Sequence, residues 1–143
     1  ILWKAEVLIQ LDRQDEALPL INKIRQRAAN SLENLKTADG SYILNYKCEL
    51  YKPGVNCTCT KEFAWKAMEW ENRLELACEG RRFFDLQRWG TLEKTMNAYF
   101  AVERNRLDWM NIARFTAGRD EFFPISQAQM KWAKGNYTQN PGY

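Results

Sequence analysis

Residues 41–60, "SYILNYKCELYKPGVNCTCT", bring together the side chains best suited to hold a ligand. An aromatic ring offers a face to a flat ligand while amides and charged groups take the ligand's polar atoms. Tyr42, Tyr46 and Tyr51, with Asn45 and Lys52 beside them, have that combination. The competing reading is that the three rings pin the loop to neighbouring helices. The same loop holds Cys48, Cys57 and Cys59. Three thiolates can bind zinc, but this spacing matches none of the usual paired knuckles. Histidine is absent from the chain, which removes the commonest general base and the commonest metal ligand. No acidic pair stands out from acids placed to form salt bridges. With no histidine, Ser–His and Cys–His catalysis and His-ligated zinc are excluded within this chain, and no metal or cofactor is assigned.

Whatever the loop does, helices must hold it. Residues 1–29 read as two helices around the turn "LDRQD", with Pro19 marking the second start and Asp15 as its cap. Ala5 and Ala17 fall where tetratricopeptide helices approach closely, and Leu8, Ile21 and Ile24 fill the seam. One such pair cannot bury its own face. The chain is helical from its first residue with no cap ahead of it, so we expect the carboxy-terminal part of a longer protein.

Residues 30–60 read as irregular, with turn chemistry at Asp39-Gly40 and Pro53-Gly54. Loops this long are usually functional or disordered, and the tyrosines and cysteines argue against disorder. Thr60 then caps a long helix whose apolar stripe runs Phe63, Ala67, Trp70, Leu74, Ala77. Cys78 reads as a small buried hydrophobe within that helix, and Gly80 as a stop. "RRFFDLQRW" forms a short helix closed by Gly90. Thr91 caps a helix to residue 103, and residues 104–121 form a loop. Ser126 and Gln129 have capping-box spacing, with Ile125 stapled against Met130, ahead of a helix to Lys134 ended by Gly135. Trp109 and Trp132 read as core or tail-packing residues. Because the helices spend their aromatic faces on one another, ligand contacts should come from 40–58. The fold expected is one mostly α-helical domain, residues 1–143, of tetratricopeptide-like helix pairs with long loops and short extended pieces.

The totals agree. At 143 residues, with 45% apolar and 27% charged residues, the chain can bury roughly 68–70% of its unfolded surface. Its net charge of +3 comes from basic residues interleaved with acids, unlike the single-sign stripe of a nucleic-acid groove. No apolar run approaches the length of a membrane span.

Residues 71–90, "ENRLELACEGRRFFDLQRWG", crowd arginines and acids among phenylalanines and a tryptophan. On a helix, Glu69 and Arg73 sit four apart in the favourable order. Asp85 lies within reach of Arg81, Arg82 and Arg88. Phe83, Phe84, Leu86 and Trp89 take up so much of the circumference that the helix should be covered on most sides. The segment reads as a salt-bridged helix junction rather than a catalytic carboxylate pair.

That stretch, followed by "FFPISQAQM" and a terminal "TQNPGY", resembles the SusD/RagB family. The helix pair "AEVLIQLDRQDEALPLINKIRQRA" agrees with the family's tetratricopeptide scaffold, and the resemblance covers nearly all of the chain outside parts of 36–58 and 101–120. It implies a non-enzymatic lipoprotein of Bacteroidetes at the outer face of the outer membrane. Such a protein caps a TonB-dependent transporter and hands over oligosaccharides or other nutrients in polysaccharide utilisation. The membrane anchor would be a lipid on a cysteine upstream of Ile1. The family commonly has proline where this chain has Ser126, and the capping box explains how the helix starts without it. The matched motifs are scaffold motifs and carry no sugar contacts with them. With an outward-facing location implied, a disulfide from Cys48 to Cys57 or Cys59 becomes available, beside free thiols. A helical-repeat adaptor that binds protein and no sugar is the alternative function.

Overall fold

A computed structural model describes residues 1–42 and 47–143. Its helices are α1 (Leu2–Gln10), α2 (Gln14–Asn30), α3 (Lys61–Glu75), α4 (Arg82–Arg88), α5 (Leu92–Glu103) and α6 (Gln127–Trp132), with short 3-10 turns at Ser31–Leu35 and Asp108–Met110. Extended pairing among the described residues is confined to isolated bridges, Lys36 with Tyr42 and Pro53 with Cys57. The chain is thus mostly α-helical with long loops, and no described helix is long and apolar enough to cross a membrane. It divides into two compact units, Ile1–Arg82 and Phe83–Tyr143.

In the first unit α1 and α2 fold around Leu11–Arg13. Asp12 takes a left-handed φ of 58° there, a conformation that a short polar side chain tolerates. Ala5 and Ala17 are completely buried, as are Ile9 and Ile21, so small residues let the backbones approach while branched ones fill the gaps. Ile24 is only half-buried. Two details differ from the expected start of α2. Arg13, not Asp15, stands at the cap position, and Asp15 lies in the first turn with Glu16, where carboxylates favour the positive helix end. Pro19 lies inside α2. At the start itself the Arg13 guanidinium chelates the Glu16 carboxylate, at 2.6 and 2.7 Å.

The α3 helix begins as expected, with the Thr60 hydroxyl accepting from Phe63 N–H at 3.2 Å. Its buried face does not. Ala64, Ala67, Met68, Glu71 and Asn72 are buried, while Trp70 and Leu74 are exposed and Ala77 lies on the surface beyond the helix. The seam is rotated because it carries a carboxylate and an amide, which an apolar stripe cannot include. Glu71 pairs with Arg25 of α2. Arg73 lies over the Trp70 ring, 5.2 Å from its centroid, rather than beside Glu69. The helix stops at Glu75, and Cys78 is exposed in a turn with φ 66°, not buried in a helix. Gly80, at φ 71°, completes that turn.

The second unit is built on a smaller apolar centre. Leu86, Leu92 and Phe115 are buried, with Phe83, Trp89, Met96 and Phe100 packed against them. Asp85 is buried and accepts from Arg88 at 3.0 Å, the structural pairing expected of it. Phe84 is 66% exposed, so α4 is less covered than its composition suggests. Thr91 stands at the α5 cap position, but its hydroxyl makes no cap bond. Ser126 does cap α6, accepting from Gln129 N–H at 3.3 Å, and α6 ends at Trp132. Trp109 and Trp132 are 72% and 78% exposed, not core.

The terminal "TQNPGY" is held by amides. Gln139 accepts from Ile125 N–H at 2.8 Å and donates to Ile125 C=O at 2.9 Å, copying one rung of a β-ladder. Asn140 donates to Phe123 C=O, and Tyr143 to Phe122 C=O. Gly142 is required here: a Cβ would fall 2.6 Å from the Arg119 side chain, at φ +84°.

Candidate functional site

Tyr51 is placed by α2. Asn22 accepts from Tyr51 N–H at 2.8 Å and donates to its C=O at 2.9 Å. Arg25 holds the segment just before it, donating to Glu49 C=O at 2.6 Å. The same guanidinium lies 4.4 Å from the Tyr51 ring centroid and is fixed by Glu71. The other side of Tyr51 meets Phe63 edge-on, centroids 5.2 Å apart. Together Tyr51, Phe63, Lys66, Ala67 and Trp70 wall a groove of about 230 Å³. Burial pushes the Tyr51 phenol up from its usual value, against the pull of Arg25. Trp70 is 47% exposed.

The groove is built from two segments. The loop supplies Tyr51, but α3 supplies Phe63, Lys66 and Trp70. Trp70 and Lys66 were legible as a pair four apart on one helix face. The apolar-stripe reading instead assigned Trp70 to the core.

Tyr42 is elsewhere. It follows the Asp39-Gly40 turn, is 56% exposed, donates to Glu33 at 3.0 Å, and has Lys36 5.0 Å from its ring centroid. The turn is organised by the Asp39 carboxylate, which accepts from the Thr37 and Ser41 hydroxyls and from Ser41 N–H. These bonds, that from Thr37 first, hold its carboxyl down at about 2. Tyr46 and Asn45 lie outside the described residues. Lys52 is exposed and is not among the groove's walls. Cys48 donates to Arg25 C=O at 3.4 Å. Cys57 and Cys59 face one another instead. Among the described residues no group of three or more acids, cysteines or histidines could hold a metal.

Two wider cavities lack this density of rings. One, of about 570 Å³ in the first unit, has Trp3, Leu2, Ile24 and Leu76 among its walls and Lys23, Arg27, Glu75 and Arg81 as its charges. Arg27 is paired with Glu75, and Arg81 lies 5.2 Å from the Trp3 ring centroid. Asn72 also lines it, its amide turned inward to donate to Met68 O and Sδ. The other, of about 520 Å³ in the second unit, is formed by the single segment containing Trp132, Lys134, Asn136 and Tyr137. Volume favours these two for a drug-sized ligand. Aromatic density and fixed walls distinguish the smaller groove.

Comparison with known proteins defines the class. The sequence profile of the SusD family matches residues 1–143, the whole chain. A relative, the SusD-like protein P38 of Formosa agariphila, is 32% identical over 109 residues, which is 76% of this chain. The chain belongs to the SusD family. It spans about a fifth of that relative's length, 19%.

Proposed function

We propose that the chain contributes to non-catalytic capture of glycan nutrients, with the Tyr51–Phe63–Trp70 groove holding one sugar ring. The observation that carries this reading is the meeting of three aromatic rings beside an exposed amine. Trp70 supplies an exposed ring for C–H stacking, and Lys66 and Tyr51 supply donors for hydroxyls. Glycoside hydrolysis uses two carboxylates flanking the scissile bond, and the groove's walls are aromatic, apolar and basic. Family membership supports a place in glycan utilisation at the cell surface, as part of an outer-membrane lipoprotein that passes its ligand to a TonB-dependent transporter. An array of oligosaccharides probed with the full chain should retain it, and Trp70→Ala should abolish that retention. Turnover of a chromogenic glycoside would overturn the non-catalytic reading. Retention unaffected by Trp70→Ala would move the sugar away from the groove.

One observation favours a protein-binding adaptor as the second reading. Trp3, Val7 and Leu11 follow each other at four-residue spacing along α1 and are 57–60% exposed, an apolar ridge of the kind that docks on a partner helix. Under that reading no oligosaccharide is retained, and Val7→Glu abolishes capture of a protein partner.

A further inference from the structure

Cys57 and Cys59 are separated by one residue, and their sulfurs stand 2.9 Å apart. A disulfide bond measures about 2.05 Å, and unbonded sulfurs in a packed interior rest farther apart than these do. Three backbone features hold them in that relation. Cys59 adopts a left-handed φ of 54°, a conformation unusual for a residue with a Cβ. Its N–H donates to Cys57 Sγ at 3.2 Å. Cys57 itself is buried at 6% exposure and is anchored by Gly54 N–H donating to its C=O at 3.1 Å. Upstream, the Asn56 side chain closes the turn, accepting from Lys52 N–H and donating to Leu50 C=O. Downstream, Thr60 fixes the first turn of α3. Both sulfurs thus sit at the junction between the loop that carries Tyr51 and the helix that carries Phe63 and Trp70.

We infer that Cys57 and Cys59 are a modification site that closes to a disulfide, cross-linking the Cys57-Thr58-Cys59 turn ahead of α3. The oxidant is a small disulfide of the glutathione class. The Cys59 thiolate attacks one sulfur of that disulfide, forming a mixed disulfide and expelling one thiolate. The Cys57 thiolate then attacks Cys59 Sγ, forming the intramolecular bond and expelling the second. Two electrons pass to the oxidant, and the two protons released from the cysteines appear on its two thiols. Cys59 is the entry point because it is the more exposed of the two. Its thiol is pushed up to about 11, chiefly by its hydrogen bond with Cys57, so the first attack quickens as pH rises. Cys48 takes no part, since its thiol is turned to the Arg25 carbonyl. A ring this small removes little chain entropy from the unfolded state. Its effect is local: it fixes the loop's exit into α3.

The test uses the full chain equilibrated with oxidised glutathione, acid-quenched, alkylated and digested with chymotrypsin. Cleavage after Tyr51 separates Cys48 from the pair. The fragment carrying Cys57 and Cys59 should be lighter by two hydrogens and free of both alkyl groups and glutathione, while Cys48 is alkylated and exposed Cys78, with no neighbouring thiol to resolve it, carries either alkyl or glutathione. Amide exchange just ahead of α3 should slow at least threefold on oxidation, with the melting temperature nearly unchanged. Alkylation of both Cys57 and Cys59 after this treatment would overturn the inference. So would a cross-link from Cys48 to either, or a glutathione adduct on Cys59 that never resolves.

Discussion

Among the described residues the first compact unit exposes three aromatic rings and the second eight, and the two hold their rings in different ways. In the first, Tyr51 is clamped by Asn22, flanked by Arg25 and braced by Phe63, so two helices fix one ring. In the second, Trp132 and Tyr137 rise from a single turn whose Lys134 is left-handed at φ 48° and whose tryptophan is 78% exposed. A ring fixed before binding loses less freedom when a ligand arrives. The contrast teaches that how far a ring is exposed and how firmly the fold braces it are separate properties.

The same contrast runs through the packing. The first unit rests on an alanine seam with Ile9, Ile21 and Met68 fully enclosed. The second rests on a small apolar centre plus side-chain amides bonded to backbone, with Asn97 bracketing Phe115 as Gln139 brackets Ile125. Truncation in the first unit should therefore be the more damaging. Ile21→Ala should lower stability by about 2–5 kcal/mol, read as a shifted urea midpoint, with amide exchange accelerated across α1–α3. A loss below about 1 kcal/mol would mean the seam collapses more freely than its enclosure implies.

Asp85→Ala comes next. Hydrogen bonds to charged groups contribute about 1.5–3 kcal/mol, and the Arg88 side chain is 47% exposed, which places the loss near the lower bound. The melting temperature should fall while oligosaccharide affinity of the folded protein is unchanged. A stable variant that had lost binding would make Asp85 functional. Gln139→Ala should cost about 1 kcal/mol by unpairing both polar groups of half-buried Ile125, and Gln139→Glu, which keeps only the acceptor, should restore part of it. Equal exchange rates at Ile125 in variant and parent would remove the amide clamp from the account.

Much of this organisation was legible beforehand, and the misreadings share a cause. Ala5, Ala17, Thr60 and Ser126 were recognisable because a small residue at a crossing or a hydroxyl at a cap acts through its own neighbours. The buried face of α3 was not, because Glu71 becomes buriable only through Arg25, forty-six residues away. Periodicity counts a carboxylate as a surface residue and turns the helix accordingly, which sent Trp70 to the core and left the groove unseen. Cys78 failed likewise: α3 ends at Glu75 without a signal stronger than Gly80. The tail motif was recognisable as a pattern, yet its bonds run back across the chain to Phe122, Phe123 and Ile125.

The smallest expected effect is at the Asp39 turn. Its carboxyl is depressed from 3.8 to about 2, so the unfolded turn binds the proton more tightly than the folded one. The stabilisation is complete above about pH 4 and is lost as pH falls toward about 2. Exchange at Ser41 N–H, corrected for intrinsic chemistry, should lose protection over that interval, and Asp39→Asn should lack the transition. A Ser41 profile flat with pH would contradict the turn's geometry.

The central claim is that a braced aromatic groove, not ring exposure as such, binds sugar. Isothermal calorimetry of an array-selected oligosaccharide against four single variants of the full chain tests it most directly. Trp70→Ala and Tyr51→Ala should each weaken binding by at least about tenfold, or about 1.4 kcal/mol, while Tyr42→Ala and Trp132→Ala leave it within about twofold. Unchanged affinity in both groove variants with their fold intact, or a loss confined to Trp132→Ala, would contradict the account.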